Sequence, residues 1–247
     1  MHPFLEVIYH VRGDARGIAG RAAAIAVEQS VEMPVAAIDD AFVRAEIVGE
    51  VAGIVPKGGD LFEVRIRLAV ETVGSLDVLI NNAGVAIYDD LSNLDVVEQH
   101  LQVNFLGMLR VTHAFVPLLK RSHGAIVNNL SLAALAALPM IPAYSISKAA
   151  AFNMTQSLRA LLASEGVSVH GVVLGPVDTD MNRGLEIPKA SPESAAAGIF
   201  DGLARGEEEI FPDPASRSIA DGWRIGVVKG LERQFAVFAP ENAASLG

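Results

Sequence analysis

The sequence predicts an α/β protein: a doubly wound parallel sheet of about seven strands, folded as a single domain over residues 1–247. Three observations carry this. Short β-branched runs alternate with longer helical stretches along the whole chain. Several of those runs are apolar at every position, as expected of strands covered on both faces. No internal repeat and no Gly-, Pro- or Ser-rich linker divides the 247 residues.

Taken in order, the candidate strands are FLEVIYHV (4–11), PVAAI (34–38), GIVP (53–56), DVLI (77–80), AIVNNL (125–130), VSVHGVVL (167–174) and EEIF (208–211). Helical stretches fall between them at 17–29, 40–52, 62–74, 95–119, 143–165 and 192–205. Connections of this kind are right-handed crossovers. Ser191 followed by Pro192 reads as an N-cap and first helical position. The segment 175–194 leading to that cap is long and irregular, which makes it a lid candidate as well as a surface connection.

Composition narrows the function. Half the chain is hydrophobic (51%), enough for a sizeable core. A formal charge of -10 argues against nucleic-acid and anionic-membrane partners. There is no cysteine, so disulfides, thiolate nucleophiles and Cys-based zinc sites are excluded. The start, MHPFLEVIYHV, lacks a basic region and carries Glu6, so no signal peptide is read there and a cytoplasmic protein is expected. The longest apolar run, LSLAALAALPMIPAY, is broken by Pro139 and Pro142 and is too short to span a bilayer. Six scattered histidines show no metal-ligand spacing, and no metal is expected.

The chemistry concentrates in a few motifs. In YSISK (144–148), Tyr144 and Lys148 stand four apart on a helix and share a face. A neighbouring ammonium favours the ionised phenol, so Tyr144 reads as a general acid/base with its pKa lowered by Lys148. Ser131 closes AIVNNLS, NNAG (81–84) closes DVLI, and GPVDT (175–179) closes VSVHGVVL. Ligands of open parallel sheets bind outside the carboxyl ends of the strands, where Gly13, Asp39, Asn82, Ser131 and Gly175 would collect.

These residues resemble the short-chain dehydrogenase/reductase family, densely from Asp77 to Met181 and more loosely over nearly the whole chain. The resemblance implies a Rossmann-like domain with a cofactor half at about 1–120 and a catalytic half at about 121–247. It maps the family's Asn-Ser-Tyr-Lys tetrad onto Asn104, Ser131, Tyr144 and Lys148. Ser131 would bind the substrate oxygen, Tyr144 pass the proton, Lys148 bind the nicotinamide ribose, and Asn104 hold a relay water. The implied cofactor is NAD or NADP, with Asn82, Ala83, Gly84, Tyr144, Lys148, Pro176, Val177 and Thr179 lining its site, and Asp60 in place of the family's Asp-Val pair. The implied reaction interconverts an alcohol and a carbonyl on a mostly hydrophobic substrate, walled by 132–143 and 181–190. A homodimer or homotetramer paired through the helices at 95–119 and 143–165 would be usual.

The N-terminal glycine motif departs from the family. It reads Arg12, Gly13, Gly17, Ala19 where Thr-Gly-x-x-x-Gly-x-Gly is usual. FLEVIYHV, GDARGIA and GRAAAIAVEQS still read as strand, turn and helix, a start whose backbone N–H groups can hold a pyrophosphate. Gly13, Arg16, Gly17 and Ile18 would form this loop, and Asp39 would bind the adenosine ribose. Asp39 leans toward NAD; Arg16 pulls toward NADP. Binding weaker than with the full motif is expected, tightened by Ala19→Gly. Two other readings share the fold. A cofactor-free lyase of the halohydrin dehalogenase type carries Arg in place of Lys148, and a non-catalytic nucleotide sensor usually loses the tyrosine that this chain keeps.

Overall fold

The structure, a computed structural model, describes residues 5–15, 18–28, 51–52, 70–71 and 74–239. Its centre is a run of four parallel strands: β4 (Val78–Asn81), β5 (Ala125–Asn129), β6 (Ser168–Val172) and β7 (Glu209–Ile210). These match the expected strands at 77–80, 125–130, 167–174 and 208–211, the first shifted by one residue and the other three one to three residues shorter. Between them run α1 (Leu94–Leu101), a π-helix (Gln102–Gly107) and α2 (Met108–Ser122). They are followed by α3 (Pro142–Leu162) and α4 (Pro192–Ala204). The three expected helices of this half are therefore present, the first of them divided by the π-helix. Ser191 caps α4 as expected, its Oγ accepting from Ser194 N at 3.1 Å, with Pro192 next.

The sheet continues from β4 through β2 (Ile18–Glu28) and β1 (Leu5–Ala15) to β3 (Val51–Ala52). Here the structure corrects the expectation. The helix read over 17–29 is a strand, paired antiparallel with β1 from Leu5↔Glu28 to Ala15↔Ile18 and parallel with β4. The physical reason is that alanine's helix propensity is a weak preference, easily overridden when a segment can pair on both edges. Only Arg16 and Gly17 separate the two strands in sequence, a length and a glycine that suit a hairpin. Val51–Ala52 is likewise a strand where the end of a helix over 40–52 was read. Of the helix read over 62–74, residues 70 and 71 are helical and Gly74 lies past its end. The strands read at 34–38 and 53–56 lie outside the described residues.

Alternation along the strands sorts the core into two layers. Leu79 and Ile126 turn to one face and pack with Phe115, Leu119 and Leu162 of α2 and α3. Val78, Val127, Val172 and Ile210 turn to the other, against Ile199 and Leu203 of α4. The turn from α2 into β5 needs Gly124, because a Cβ there would lie 2.4 Å from the Asp77 carbonyl oxygen.

A polar chain crosses the first of these layers. Asn81 Nδ2 donates to Thr112 Oγ1 (2.9 Å) and to Asn128 Oδ1 (2.7 Å). Asn128 Nδ2 donates to Thr155 Oγ1 (2.9 Å), which donates to Ala151 O (2.8 Å). All four side chains are buried, so each bond replaces water that cannot enter.

Two helices follow that the sequence reading did not include: α5 (Pro214–Arg224) and α6 (Val227–Phe235). A capping box between Asp213 and Ser216 starts α5. The buried Lys229 ties α6 back through its ion pair with Glu209 at 2.8 Å and also pairs with Glu232 of the same helix at 2.8 Å, while Arg159 of α3 pairs with both carboxylates. Trp223 Nε1 donates to Glu209 Oε2 at 3.0 Å. Removing one partner from such a buried cluster leaves an uncompensated charge.

The asparagine chain gives a stability prediction. Asn128→Ala should remove roughly 2–3 kcal/mol, because it leaves a buried Asn81 N–H without an acceptor and Thr155 Oγ1, which keeps its bond to Ala151 O, without its donor. For a chain of this size that lowers Tm by roughly 4–12 °C. Calorimetry of the two proteins measures it; a fall below about 2 °C would show that these bonds carry no net stability.

Candidate active site

The carboxyl ends of β4, β5 and β6 lie side by side, and each is followed by one of the singled-out motifs. Asn82 to Gly84 follow β4, Ser131 follows β5, and Gly175 to Thr179 follow β6. Helix α3 then brings Tyr144 and Lys148 against this edge, on the shared face that their spacing requires.

Ser131 is the N-cap of a short 3₁₀ turn (Leu132–Ala134), its Oγ accepting from Ala133 N at 3.1 Å, and it hydrogen-bonds the Tyr144 hydroxyl. Lys148 is buried; its Nζ donates to Asn129 O at 2.8 Å and stands 5.7 Å from the centre of the Tyr144 ring. A Cβ on Gly84 would lie 3.5 Å from Lys148 Nζ and 3.4 Å from Asn104 Oδ1, so NNAG closes the same small space. Asn104 itself sits in the π-helix, a bulge that often marks functional sites. The structure thus brings Asn104, Ser131, Tyr144 and Lys148 together with Gly84.

One expectation about these side chains changes. Burial pushes the Tyr144 phenol above its usual value, the Ser131 hydrogen bond only partly offsetting it, so the expected lowering by Lys148 is not found. Desolvation dominates, and the ammonium spends its bond on Asn129 O rather than on the phenol. Burial lowers Lys148 to about 8. Near pH 7 the pair is therefore a neutral phenol beside an ammonium, a phenol set to give up a proton rather than to take one. The Asn104 side chain is fixed as well. Its Oδ1 accepts from Val85 N (2.8 Å) and its Nδ2 donates to Val85 O (2.9 Å) and Ser147 Oγ (2.9 Å). The side chain is committed to holding the chain after NNAG.

The segment after NNAG is pinned at alternate residues. Besides Val85, the buried His100 bonds Ile87 N at 3.1 Å, and the Asp89 carboxylate accepts from Ala143 N at 3.3 Å at the start of α3. Helix α3 has no side-chain cap of its own, so Asp89 supplies the negative charge its N-terminus favours. On the β6 side, the buried Asp213 carboxylate accepts from Gly175 N (2.8 Å), Ala215 N, Ser216 N and Ser216 Oγ. A Cβ on Gly175 would lie 2.4 Å from Asp213 Oδ1, which is why glycine stands there. Sequence reading missed His100, Asp89 and Asp213; His100 and Asp89 act on segments far along the chain, whereas Asp213, followed by Pro214 and by Ser216 three residues on, carries a local N-cap signal that was overlooked.

Residues 176–190 form a loop closed at its own neck. Ala190 N donates to Pro176 O and Asp178 N to Ala190 O, both at 2.9 Å, making a bridge between Val177 and Ala190. Lys189 pairs with Asp178 at 3.5 Å, and Asn182 Nδ2 donates to Val177 O at 2.8 Å. Thr179 precedes a 3₁₀ turn, Asp180–Asn182. Met181 and Ile187 are exposed on this loop, as Leu138 and Met140 are on the stretch after Ser131.

A nicotinamide dinucleotide can be tested against these residues. Asn129 Oδ1 is buried with no hydrogen-bond donor, while its Nδ2 donates to Asn82 Oδ1. An orphaned acceptor beside Lys148 and NNAG suits a ribose hydroxyl, so this half fits. The other half does not extend the fit. Gly13 pairs with Gly20 inside the hairpin and Ile18 opens β2, so the strand–turn–helix cradle is absent from the described residues there. Ala19 pairs with Asp14 in that ladder, which removes the helix-packing reason for the Ala19→Gly expectation. Arg16, Gly17, Asp39 and Asp60 lie outside the described residues.

Fold and site together define an α/β protein with a buried tyrosine–lysine pair at the carboxyl edge of a parallel sheet. The chain belongs to the short chain dehydrogenase family, which matches over residues 8–189. It is 32% identical over 189 residues to an 11-beta-hydroxysteroid dehydrogenase-like 3 from Arabidopsis thaliana, covering 68% of this chain and 61% of that protein. It thus spans less than two thirds of that relative's length. A 2-(S)-hydroxypropyl-CoM dehydrogenase 3 from Xanthobacter autotrophicus is 30% identical over 198 residues, 75% of this chain and 78% of the relative. Among solved structures, a short chain dehydrogenase from Burkholderia cenocepacia J2315 in complex with NADP superposes with a TM-score of 0.63 at 34% identity, over 69% of this chain and 76% of that one. Among the described residues, no helix is long and apolar enough to cross a membrane.

The lysine gives a prediction with a definite sign. Its folded pKa, about 8, is below the unfolded value of 10.5, so between these the unfolded chain binds more protons. The Lys148 contribution to stability therefore rises as pH climbs from about 8 to 10.5 and is at its lowest below pH 8. The difference in Tm between the parent and Lys148→Met should shift in the parent's favour across that window. A flat difference would mean the buried ammonium is not perturbed.

Proposed function

We propose that the protein is an NAD(P)-dependent oxidoreductase that interconverts an alcohol and a carbonyl. The observation that carries this is the Tyr144 hydroxyl hydrogen-bonded to Ser131 with the Lys148 ammonium buried beside its ring. A bound nicotinamide dinucleotide supplies the hydride. In the reducing direction the carbonyl carbon gains the hydride, the C=O π pair moves onto oxygen and takes the Tyr144 proton, and the oxygen stays on carbon as the alcohol hydroxyl with Tyr144 left as a phenolate. Ser131 Oγ donates to the same oxygen as negative charge grows on it. Lys148 and the Asn129 acceptor hold the ribose, and Gly84 leaves room for it. Val177 and Thr179 approach the carboxamide. Asn104 keeps this wall in place through Val85.

The exposed Leu138, Met140, Met181 and Ile187 favour a substrate with an apolar body. For the cofactor we propose NADP(H). The NAD lean from Asp39 finds no support among the relatives, since the 34% identical neighbour was solved with NADP. Arg16, a basic residue before Gly17, accords with that. The same family likeness favours a single domain divided near residue 120, and a homo-oligomer paired through the helices at 94–122 and 142–162.

Two experiments test this. Titrating NADPH and NADH against the Trp223 fluorescence should show saturable binding, tighter for NADPH; no binding of either at about millimolar concentration would overturn the reading. Tyr144→Phe should lower kcat for reduction of an apolar ketone by roughly 10²–10⁴ while leaving NADPH affinity within a few-fold. A Phe variant with near-parental turnover would remove Tyr144 from the chemistry.

A further inference from the structure

His100 lies one helical turn before Asn104 and is fully buried, with two partners and a ring neighbour. Its Nδ1 is 2.8 Å from the Val96 carbonyl oxygen, one turn back in α1, and a carbonyl can only accept. Nδ1 therefore carries the hydrogen. Its Nε2 is 3.1 Å from Ile87 N, an N–H that can only donate, so Nε2 is bare. The two partners fix one neutral tautomer. The ring also stands edge-on to Tyr144, with centroids 6.4 Å apart and planes at 76°.

We infer that His100 is a positioning residue: as a neutral imidazole it fixes the segment after NNAG through Ile87 and braces the Tyr144 ring. This rests on the hydride-transfer reading above. Asn104 grips Val85 and His100 grips Ile87, so two side chains one turn apart hold alternate residues of one segment. Tyr144 is thereby bounded by His100 at its ring and Ser131 at its hydroxyl. A phenol that must meet a carbonyl oxygen within hydrogen-bond reach gains from a wall that cannot shift. A leucine at 100 would fill much of the space and accept nothing from Ile87. A glutamine could still accept through Oε1.

The test uses His100→Leu, His100→Gln and the parent. Ile87 amide exchange, followed by NMR, should accelerate at least about tenfold in the Leu variant and stay within about threefold in the Gln variant. Nitrogen-15 shifts of the parent imidazole should show the hydrogen on Nδ1. In NADPH-dependent reduction, the Leu variant should lose at least about tenfold in kcat with KM within about threefold, and Gln should restore most of kcat. Unchanged Ile87 exchange in the Leu variant, or a hydrogen on Nε2, would overturn the inference. So would a kcat loss that Gln does not relieve, which is the mark of a packing defect. The exchange and nitrogen measurements need no turnover. If they hold in a protein that reduces nothing, the positioning stands and the oxidoreductase reading fails.

Discussion

Amide hydrogen bonds buried where no water can replace them govern the active half of this protein. The chain from Thr112 through Asn81, Asn128 and Thr155 to Ala151 O joins two helices to two adjacent strands. Each amide uses donors and acceptors in fixed directions, so a sliding register would strand several of them at once. Asn81 and Asn128 end one residue before Asn82 and Asn129, whose own side chains bond each other at the sheet edge. Strand register and cofactor wall are therefore set by neighbouring residues of the same two motifs. Hydrophobic packing alone, which is tolerant of direction, would fix the layers without fixing that edge.

Electrostatics at the site follows from the same dryness. The sequence spacing placed an ammonium beside a phenol, and the structure keeps it there. Yet burial acts on both groups toward neutrality, raising one and lowering the other. Only the Ser131 hydrogen bond acts the other way on the phenol, and burial outweighs it.

How much of this was legible in the sequence follows the range of the interactions. Strands β4 to β7 and helices α3 and α4 were readable because continuous apolar runs and helical spacing are local signals. Ser191 was readable as a cap for the same reason. The meeting of Asn82, Ser131, Tyr144 and Lys148 was readable from strand ends. The strand Ile18–Glu28 was misread as a helix because its alanines carry a local preference, whereas its pairing with Leu5–Ala15 depends on a partner. Helices α5 and α6 were missed because Glu209 and Arg159 hold them from distant positions, through Trp223, Lys229 and Glu232. His100 looked like any packing residue, since Ile87 and Tyr144 reach it only in the folded state.

The loop from Pro176 to Ala190 fastens its own neck before it reaches out, through two backbone bonds and the Asp178–Lys189 pair. Chain inserted or exchanged between those ends would lengthen a ring already shut. Each doubling of such a ring adds only about 0.6 kcal/mol of closure entropy. The strand that carries it, and the Gly175 turn held by Asp213, feel none of the change. Such a loop is a cassette: descendants of this chain can acquire new appetites by rewriting about a dozen residues, with the sheet edge and its tyrosine inherited intact.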